Sequence, residues 1–387
     1  TRFSRVYTPV VVGAAVLVAL VPPVVVEGAA FSDWLYRALV VLVISCPCAL
    51  VISIPLGYFG GVGGASRRGI LVKGSNILDA LASVNTVVFD KTGTLTRGVF
   101  KVMEVVPCNG FSREDLLRLA AEAESRSNHP IAQSIKEAWS GGMNSAAVEN
   151  YEEIAGEGIR ARVEGRNILA GSDHLMHDEN IAHDVCRLDD AGTLVHLAAD
   201  GEYAGYIVIA DEVKKDAPSA ALELKKLGVE RLSMLTGDGE SSAESVARKV
   251  GVDDYRAELL PGEKVEALER IMQETEGTVA FVGDGINDAP VIVRADVGIA
   301  MGELGSDAAI EMADVVLMTD APSKVAEAIR VARKTRTIVW ENILLALGVK
   351  SVFILAGIAG FASMWGAVFA DVGVGLLAVF NAVRVLR

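Results

Sequence analysis

Four apolar stretches, each long enough to cross a bilayer as a helix, constrain this chain more than any other feature. A spanning helix takes about 20 residues. The stretches run from about Thr8 to Val26, Leu35 to Phe59, Ile343 to Met364, and Ala367 to Val383. Between the second and third lies ordinary soluble sequence, about Gly74 to Arg336. Two membrane hairpins therefore bracket one large soluble insert. Basic residues orient them. Arg2 and Arg5 precede the first stretch, Arg67, Arg68 and Lys73 follow the second, Lys334 and Arg336 precede the third, and Arg384 and Arg387 follow the fourth. The short loops Glu27 to Asp33 and Ser363 to Gly366 carry no basic residue. Both hairpins are expected to enter from the cytoplasm and return to it, in a multi-pass protein of the cytoplasmic or plasma membrane whose soluble domains are cytoplasmic.

Composition excludes several classes. With 51% hydrophobic residues the chain is not disordered. With 36 basic against 50 acidic residues, a net charge of −14, it has no basic footprint for nucleic acid. Four cysteines in 387 residues do not make a secreted disulfide scaffold. The first residue is Thr and no charged leader with a cleavage site precedes the first apolar run, so the chain is expected to be a piece of a longer protein.

In the insert, short apolar runs end in polar turns: Thr86 to Asp90, Arg231 to Thr236, Thr278 to Val282, Val297 to Ala300 and Val315 to Met318. Helix-like segments such as Ala217 to Leu227 and Ser241 to Val250 separate them. This alternation predicts a doubly wound parallel sheet, whose ligands sit at the carboxyl ends of the strands. Those ends carry Asp90, Thr236-Gly237-Asp238 and Gly283-Asp284-Gly285. Alternating runs near Ile159 to Val163 and Tyr203 to Ile209 suggest an inserted α+β domain. The expected division is 1–66 first membrane hairpin, 67–98 and 210–338 the two parts of the parallel-sheet domain, 99–209 the inserted domain, and 339–387 the second hairpin.

The strand-end residues suit phosphoryl transfer. In Asp90-Lys91-Thr92-Gly93-Thr94-Leu95-Thr96, the Asp can attack a γ-phosphate and become an aspartyl phosphate. Gly93 permits a sharp turn, and Thr94 can hold a phosphoryl oxygen. Asp284 and Asp288, with Asp90, offer the oxygen ligands that Mg²⁺ requires. Lys264 and Thr236 can offset charge on the transferring group.

DKTGTLT, TGD and GDGINDAP, in this order, resemble the P-type ATPases, whose phosphorylation domain has the haloacid dehalogenase-like, Rossmann-like fold. The resemblance implies ATP and Mg²⁺, phosphorylation of Asp90, and a catalytic set of Asp90, Lys91, Thr92, Thr94, Thr236, Gly237, Asp238 and Lys264. Asp90, Thr92, Asp284 and Asp288 would surround the Mg²⁺. Related phosphatases carry an acid two residues after the nucleophile. Thr92 stands there, which argues for a long-lived phosphoenzyme and against a membrane-tethered phosphatase. Ser127-Asn-His-Pro130 resembles the His-Pro signature of the heavy-metal subgroup, which assigns His129, Glu124 and the glycines of Gly156-Glu-Gly158 to the nucleotide. His174 and His177 can share a helix face, but without a cysteine beside them they make a weak metal site. Cys108 and Cys186 stand alone and read as inert thiols.

Ser45-Cys46-Pro47-Cys48 lies mid-span. Pro47 opens the helix, and two thiolates beside the break offer a soft cation site. Lys350 and Asp371 are ionisable residues inside the last hairpin, where charge is costly. Asp371 would supply a carboxylate, and Lys350 would act as its counter-ion when the site is empty. Cys-Pro-Cys with a membrane Lys and Asp371-Val-Gly373 resembles the branch that exports Zn²⁺, Cd²⁺ and Pb²⁺. Copper pumps, the alternative, usually carry Tyr-Asn and Met-x-x-Ser-Ser in the last spans, and neither occurs here. The family's Thr-Gly-Glu, in its actuator domain, is also absent, so the N-terminal half of the protein is an expected partner, with membrane lipid, ATP and the metal ion.

Overall fold

The computed structural model describes residues 2–127, 129–142, 148–154, 157–183, 192–284, 288–302 and 307–386. The chain forms two compact units, one of residues 1–83 and 327–387, the other of residues 84–326.

The first unit begins with α1 (Arg2–Val25), α2 (Phe31–Ile44) and α3 (Cys48–Ser66), followed by β1 (Ile70–Val72) and α4 (Ser75–Ala82). The second apolar stretch is thus two helices and not one. The chain is non-helical from Ser45 to Pro47, where the proline has no N–H to continue the ladder. Segments Tyr7–Val25, Phe31–Ser66, Ser323–Ala359 and Met364–Leu386 are long and apolar enough to span a membrane. Large apolar side chains such as Val24, Phe369 and Phe380 face outward, which suits lipid. Glycines let α3 pack closely. A Cβ on Gly61 would lie 2.6 Å from both Leu78 and the Thr335 hydroxyl.

In the second unit, β2 (Val84–Asp90) leads into an inserted antiparallel sheet made of β3 (Thr96–Pro107), then helices α5 (Arg113–Ala123) and α6 (Pro130–Ala138), then β4 (Val148–Ile154), β5 (Gly158–Val163), β6 (Arg166–Gly171), α7 (Asp173–Asp178), β7 (Thr193–Ala199) and β8 (Glu202–Val213). The spatial order is β3-β8-β7-β6-β5-β4, all neighbours antiparallel. Alternation along the strands gives the sheet two buried faces. Val195, Leu197 and Ile207 join Leu116, Leu119 and Ile135 of α5 and α6 on one side. Ala198 and Tyr203 join Leu175 and Met176 of α7 on the other.

The chain then alternates α8 (Ala217–Lys226), β9 (Arg231–Leu235), α9 (Glu240–Val250), β10 (Asp254–Arg256), α10 (Pro261–Glu274), β11 (Thr278–Gly283), α11 (Ala289–Arg294), β12 (Val297–Met301), α12 (Asp307–Met312) and β13 (Val315–Leu317). The order β13-β12-β11-β2-β9-β10 is parallel throughout, with β2 between β11 and β9. Its runs are buried on both faces, as parallel strands covered by helices must be.

The chain ends with α13 (Ser323–Ala359) and α14 (Met364–Val383). α13 is one continuous 37-residue helix, since no Gly-Pro break separates its polar first turns from its apolar end. The compact units divide at Ser83/Val84 and Ala326/Glu327. The last turn falls earlier than expected. Gly360, at φ +85°, stops α13, and the Ser363 hydroxyl caps α14 by accepting from Gly366 N at 3.2 Å.

Candidate functional site

Asp90 ends the central strand β2 and is buried. Pro261 opens α10, and the Glu263 carboxylate accepts from Leu260 N at 2.8 Å, which fixes the helix start. The first turn so placed aims Lys264 at the strand end. Its ammonium donates to Asp90 Oδ1 at 2.5 Å and to Asp288 Oδ1 at 3.0 Å. Asp288 starts α11 and is also buried. Carboxylate oxygens of Asp90, Asp284 and Asp288 lie within 4.8 Å of one another.

The electrostatics follow from this crowding. Burial, then the charge of Asp288, pushes Asp90 up to about 7, against the pull of Lys264. Burial, then Asp288, pushes Asp284 up to about 6. For Lys264 burial disfavours its charge, yet Asp90 and Asp288 outweigh burial and raise its pKa. A further cation among the three carboxylates relieves the same repulsion.

The turn after Asp90 brings the backbone close to Asp284 and leaves one buried hydroxyl unpartnered among the described residues. Gly93 has φ +74°, and a Cβ there would lie 1.6 Å from Asp284 Oδ2. The Thr94 hydroxyl is buried without a hydrogen-bond partner among the described residues. Thr96 Oγ1 instead donates within the fold and contacts the Lys91 carbonyl at 2.9 Å and Asp211 Oδ2 at 2.5 Å. Lys91 is buried, ion-paired to Asp238, and donates to Ser242 Oγ at 3.2 Å. Thr92 is exposed in extended backbone. Thr236, buried at the end of β9, accepts from Asp238 N at 3.1 Å. Gly237 passes close to Leu259, whose carbonyl would be 3.1 Å from a Cβ.

Sequence reasoning missed Lys214. It is buried, donates to the Gly93 carbonyl, and pairs with Asp320 at 2.8 Å. It follows β8 in an ordinary Lys-Lys pair with no motif around it, and only its burial distinguishes it. Asp211 and Ser242, which contact Thr96 and Lys91, likewise stand in no motif.

In the inserted domain, a cavity of about 240 Å³ is lined by Glu124, Ser127, His129, Glu157, Gly158 and Val195, among others. Three of the four residues assigned to the nucleotide meet there. Gly156 lies outside the described residues. His129 is exposed and N-caps α6, its Nδ1 accepting from Ile131 N at 3.3 Å before Pro130. Burial pushes Glu124 up to about 7. Gly158 is constrained by its neighbour strand, since a Cβ would lie 2.3 Å from the Ala170 carbonyl oxygen. Its lack of a side chain serves the sheet as well as the cavity.

The membrane unit has its own cluster. Ligand atoms of Cys46, Cys48 and Asp371 lie within 4.8 Å of one another. Lys350 is buried and donates to Asp371 Oδ1 at 2.7 Å, to the Ile44 carbonyl at 3.3 Å and to the Cys46 carbonyl. The break at Pro47 thus frees carbonyls that the ammonium takes up. Tyr7, unmarked by any motif, donates to the Ser45 carbonyl. Cys46 and Cys48 are joined as a disulfide, the oxidised form of the pair. Thiolate ligation, as read from the sequence, belongs to the reduced form. Of the two isolated cysteines, Cys108 is free and half-buried and Cys186 lies outside the described residues.

The family model of haloacid dehalogenase-like hydrolases matches residues 84–296. The chain belongs to this family. The haloacid dehalogenase-like domain carries Asp90 at the strand end where the fold places its ligands. The whole chain is similar to a zinc-transporting ATPase of Synechocystis, 63% identical over all of this chain and 54% of the relative. It is 58% identical to a cadmium, zinc and cobalt-transporting ATPase of Bacillus subtilis, over all of this chain and 55% of that protein. A solved zinc-transporting PIB-type ATPase in an E2.Pi state superposes with TM-score 0.85 at 38% identity, covering all of this chain and 63% of that one. The chain spans about half the length of the curated relatives it matches.

Proposed function

We propose that this haloacid dehalogenase-like chain is the catalytic and C-terminal membrane part of a P-type ATPase that exports a soft divalent ion, Zn²⁺ or Cd²⁺, with Pb²⁺ as a further candidate. The observation that carries the reading is the strand-end cluster of Asp90, Lys264, Asp284 and Asp288 beside the unpartnered Thr94 hydroxyl. An oxygen of the Asp90 carboxylate attacks the γ-phosphorus of ATP. The bond from that phosphorus to the ADP oxygen breaks, ADP leaves with the electron pair, and Asp90 carries an acyl phosphate. Lys264 holds charge on the transferring group, and the Thr94 hydroxyl donates to one of its oxygens. Asp90, Asp284 and Asp288 suit Mg²⁺, whose charge neutralises the phosphoryl oxygens when bound. Thr92, exposed and without an acid, leaves no group at that position to activate water, so the acyl phosphate persists. Glu124, His129 and Gly158 hold the nucleotide in the inserted domain.

In the membrane, the reduced Cys46 and Cys48 with Asp371 form the ion site, and Lys350 stands ready to pair with Asp371 once the ion has left. Two sulfurs with one carboxylate favour Zn²⁺ or Cd²⁺ over Cu⁺. The names of the relatives above support the same ion class.

The test is acid-quenched labelling with γ-phosphate-labelled ATP and Mg²⁺. The expected product is hydroxylamine-labile and absent in Asp90→Asn. Undiminished labelling of that variant overturns the assignment. In the longer protein, stimulation of ATPase by Cu⁺ alone overturns the ion class.

A further inference from the structure

We propose that Asp173, His183 and His196, with His177 beside them, bind a divalent transition-metal ion of the zinc type within the inserted domain, at a site that shares no residue with those described above. Sequence spacing had drawn attention to His174 and His177 as one helix face. The fold separates them. His174 turns toward Glu157 and Asp178, and His177 toward Asp173 and His183. What assembles instead are histidines from three places in the chain. Ligand atoms of Asp173, His183 and His196 lie within 4.8 Å of one another. His177 Nε2 is 3.3 Å from Asp173 Oδ2. The His177 and His183 rings are 5.0 Å apart, and those of His183 and His196 are 5.5 Å apart.

The outer hydrogen bonds define the ring nitrogens. His183 Nδ1 is 2.9 Å from the Ile181 carbonyl, which only accepts, so Nδ1 carries a proton. Its Nε2 then faces Asp173 Oδ1 at 2.7 Å. A lone pair facing a carboxylate is repulsive, so a cation belongs between them, either a proton or a metal ion. His196, buried, engages the Tyr203 hydroxyl through Nδ1 at 2.7 Å, which leaves its Nε2 for the cluster. A ligating histidine held by a carbonyl or hydroxyl on its far nitrogen is the usual support of a metal site. The His183 side chain is fully covered, while Asp173 is half exposed and gives solvent access. Two or three imidazoles and a carboxylate, with no sulfur, suit Zn²⁺, Co²⁺ or Ni²⁺. They do not suit Mg²⁺ or Ca²⁺, which prefer oxygen, or Cu⁺, which prefers sulfur.

The position gives the site a consequence. Ser172 and Val195 line the nucleotide cavity, and Asp173 and His196 are the next residues in the chain. An ion joining them ties the start of α7 to β7 and stiffens one wall of that cavity.

The experiment is Zn²⁺ equilibrium dialysis of the whole chain carrying Cys46→Ser and Cys48→Ser, in excess Mg²⁺, so that neither other site competes. This parent is expected to bind one Zn²⁺ per chain at micromolar concentration. Co²⁺ is expected to give visible d–d bands without sulfur charge-transfer absorption. Asp173→Asn and His183→Ala are expected to lower Zn²⁺ affinity at least about 100-fold, and His177→Ala about tenfold. Asp173 and His177 are exposed, so those variants fold whatever becomes of His183. A parent that binds no Zn²⁺, or an Asp173→Asn protein with the parent's affinity and Co²⁺ spectrum, overturns the proposal and leaves a protonated His183–Asp173 pair.

Discussion

The Lys264 ammonium lies 2.5 Å from Asp90 Oδ1, bridging two residues 174 positions apart. The same ammonium holds Asp288, so one cation serves two buried carboxylates. Lys264→Ala is expected to slow acyl-phosphate formation by about 10²- to 10³-fold, the usual size for a lost charge-stabilising donor. Quenched-flow labelling with ATP and Mg²⁺ measures this. A rate within threefold of wild type would show that the ammonium is only structural.

Gly93→Ala tests the approach of Asp284. The new Cβ would meet Asp284 Oδ2 and also sit at φ +74°, a conformation that costs an ordinary residue about 1–2 kcal/mol. The backbone cost alone is small. Displacement of Asp284 is the larger effect, and the expected result is a strong loss of labelling that raised Mg²⁺ partly restores. Wild-type labelling at low Mg²⁺ would refute it.

Glu124 predicts a pH effect. Burial raises its folded pKa from the ordinary 4.5 to about 7, so its neutral form is the one the fold prefers. The associated stability is fully present below about pH 4.5 and is lost as pH rises through about 7. Glu124→Gln keeps the side chain neutral. The variant should match wild type near pH 4 and exceed it at pH 8, by up to about 3 kcal/mol. Thermal unfolding at the two pH values reads the difference, and an equal shift at both would count against the burial argument.

Lys350 and Asp371 form a pair 2.7 Å apart inside the membrane unit. Removing either partner leaves the other buried without its counter-charge, at roughly 3–5 kcal/mol. Lys350→Ala and Asp371→Ala should each lower the melting temperature in detergent, and the double variant should lose less than the two single losses added together. Strict additivity would mean that the pair is not coupled.

The strand ends were legible because the parallel sheet is built from local signals. Asp90, Thr236 and Asp284 each close a short apolar run, and a doubly wound sheet brings such ends together whatever lies between them. The break at Pro47 was equally local, since a missing N–H acts on its own turn. The membrane stretches followed from length and charge alone.

Tertiary structure decided what depends on distant partners. Lys214 reaches the Gly93 carbonyl across 121 positions, and Tyr7 reaches the Ser45 carbonyl across 38, with no pattern around either to announce it. His183 and His196 meet Asp173 only because β7 lies beneath α7, whereas His174 and His177, close in sequence, turn apart on a helix of six residues. Spacing along a helix or strand fixes which side chains share a face. Which faces then meet is set by packing, and the histidine cluster and the Lys214 anchor exist only at that level.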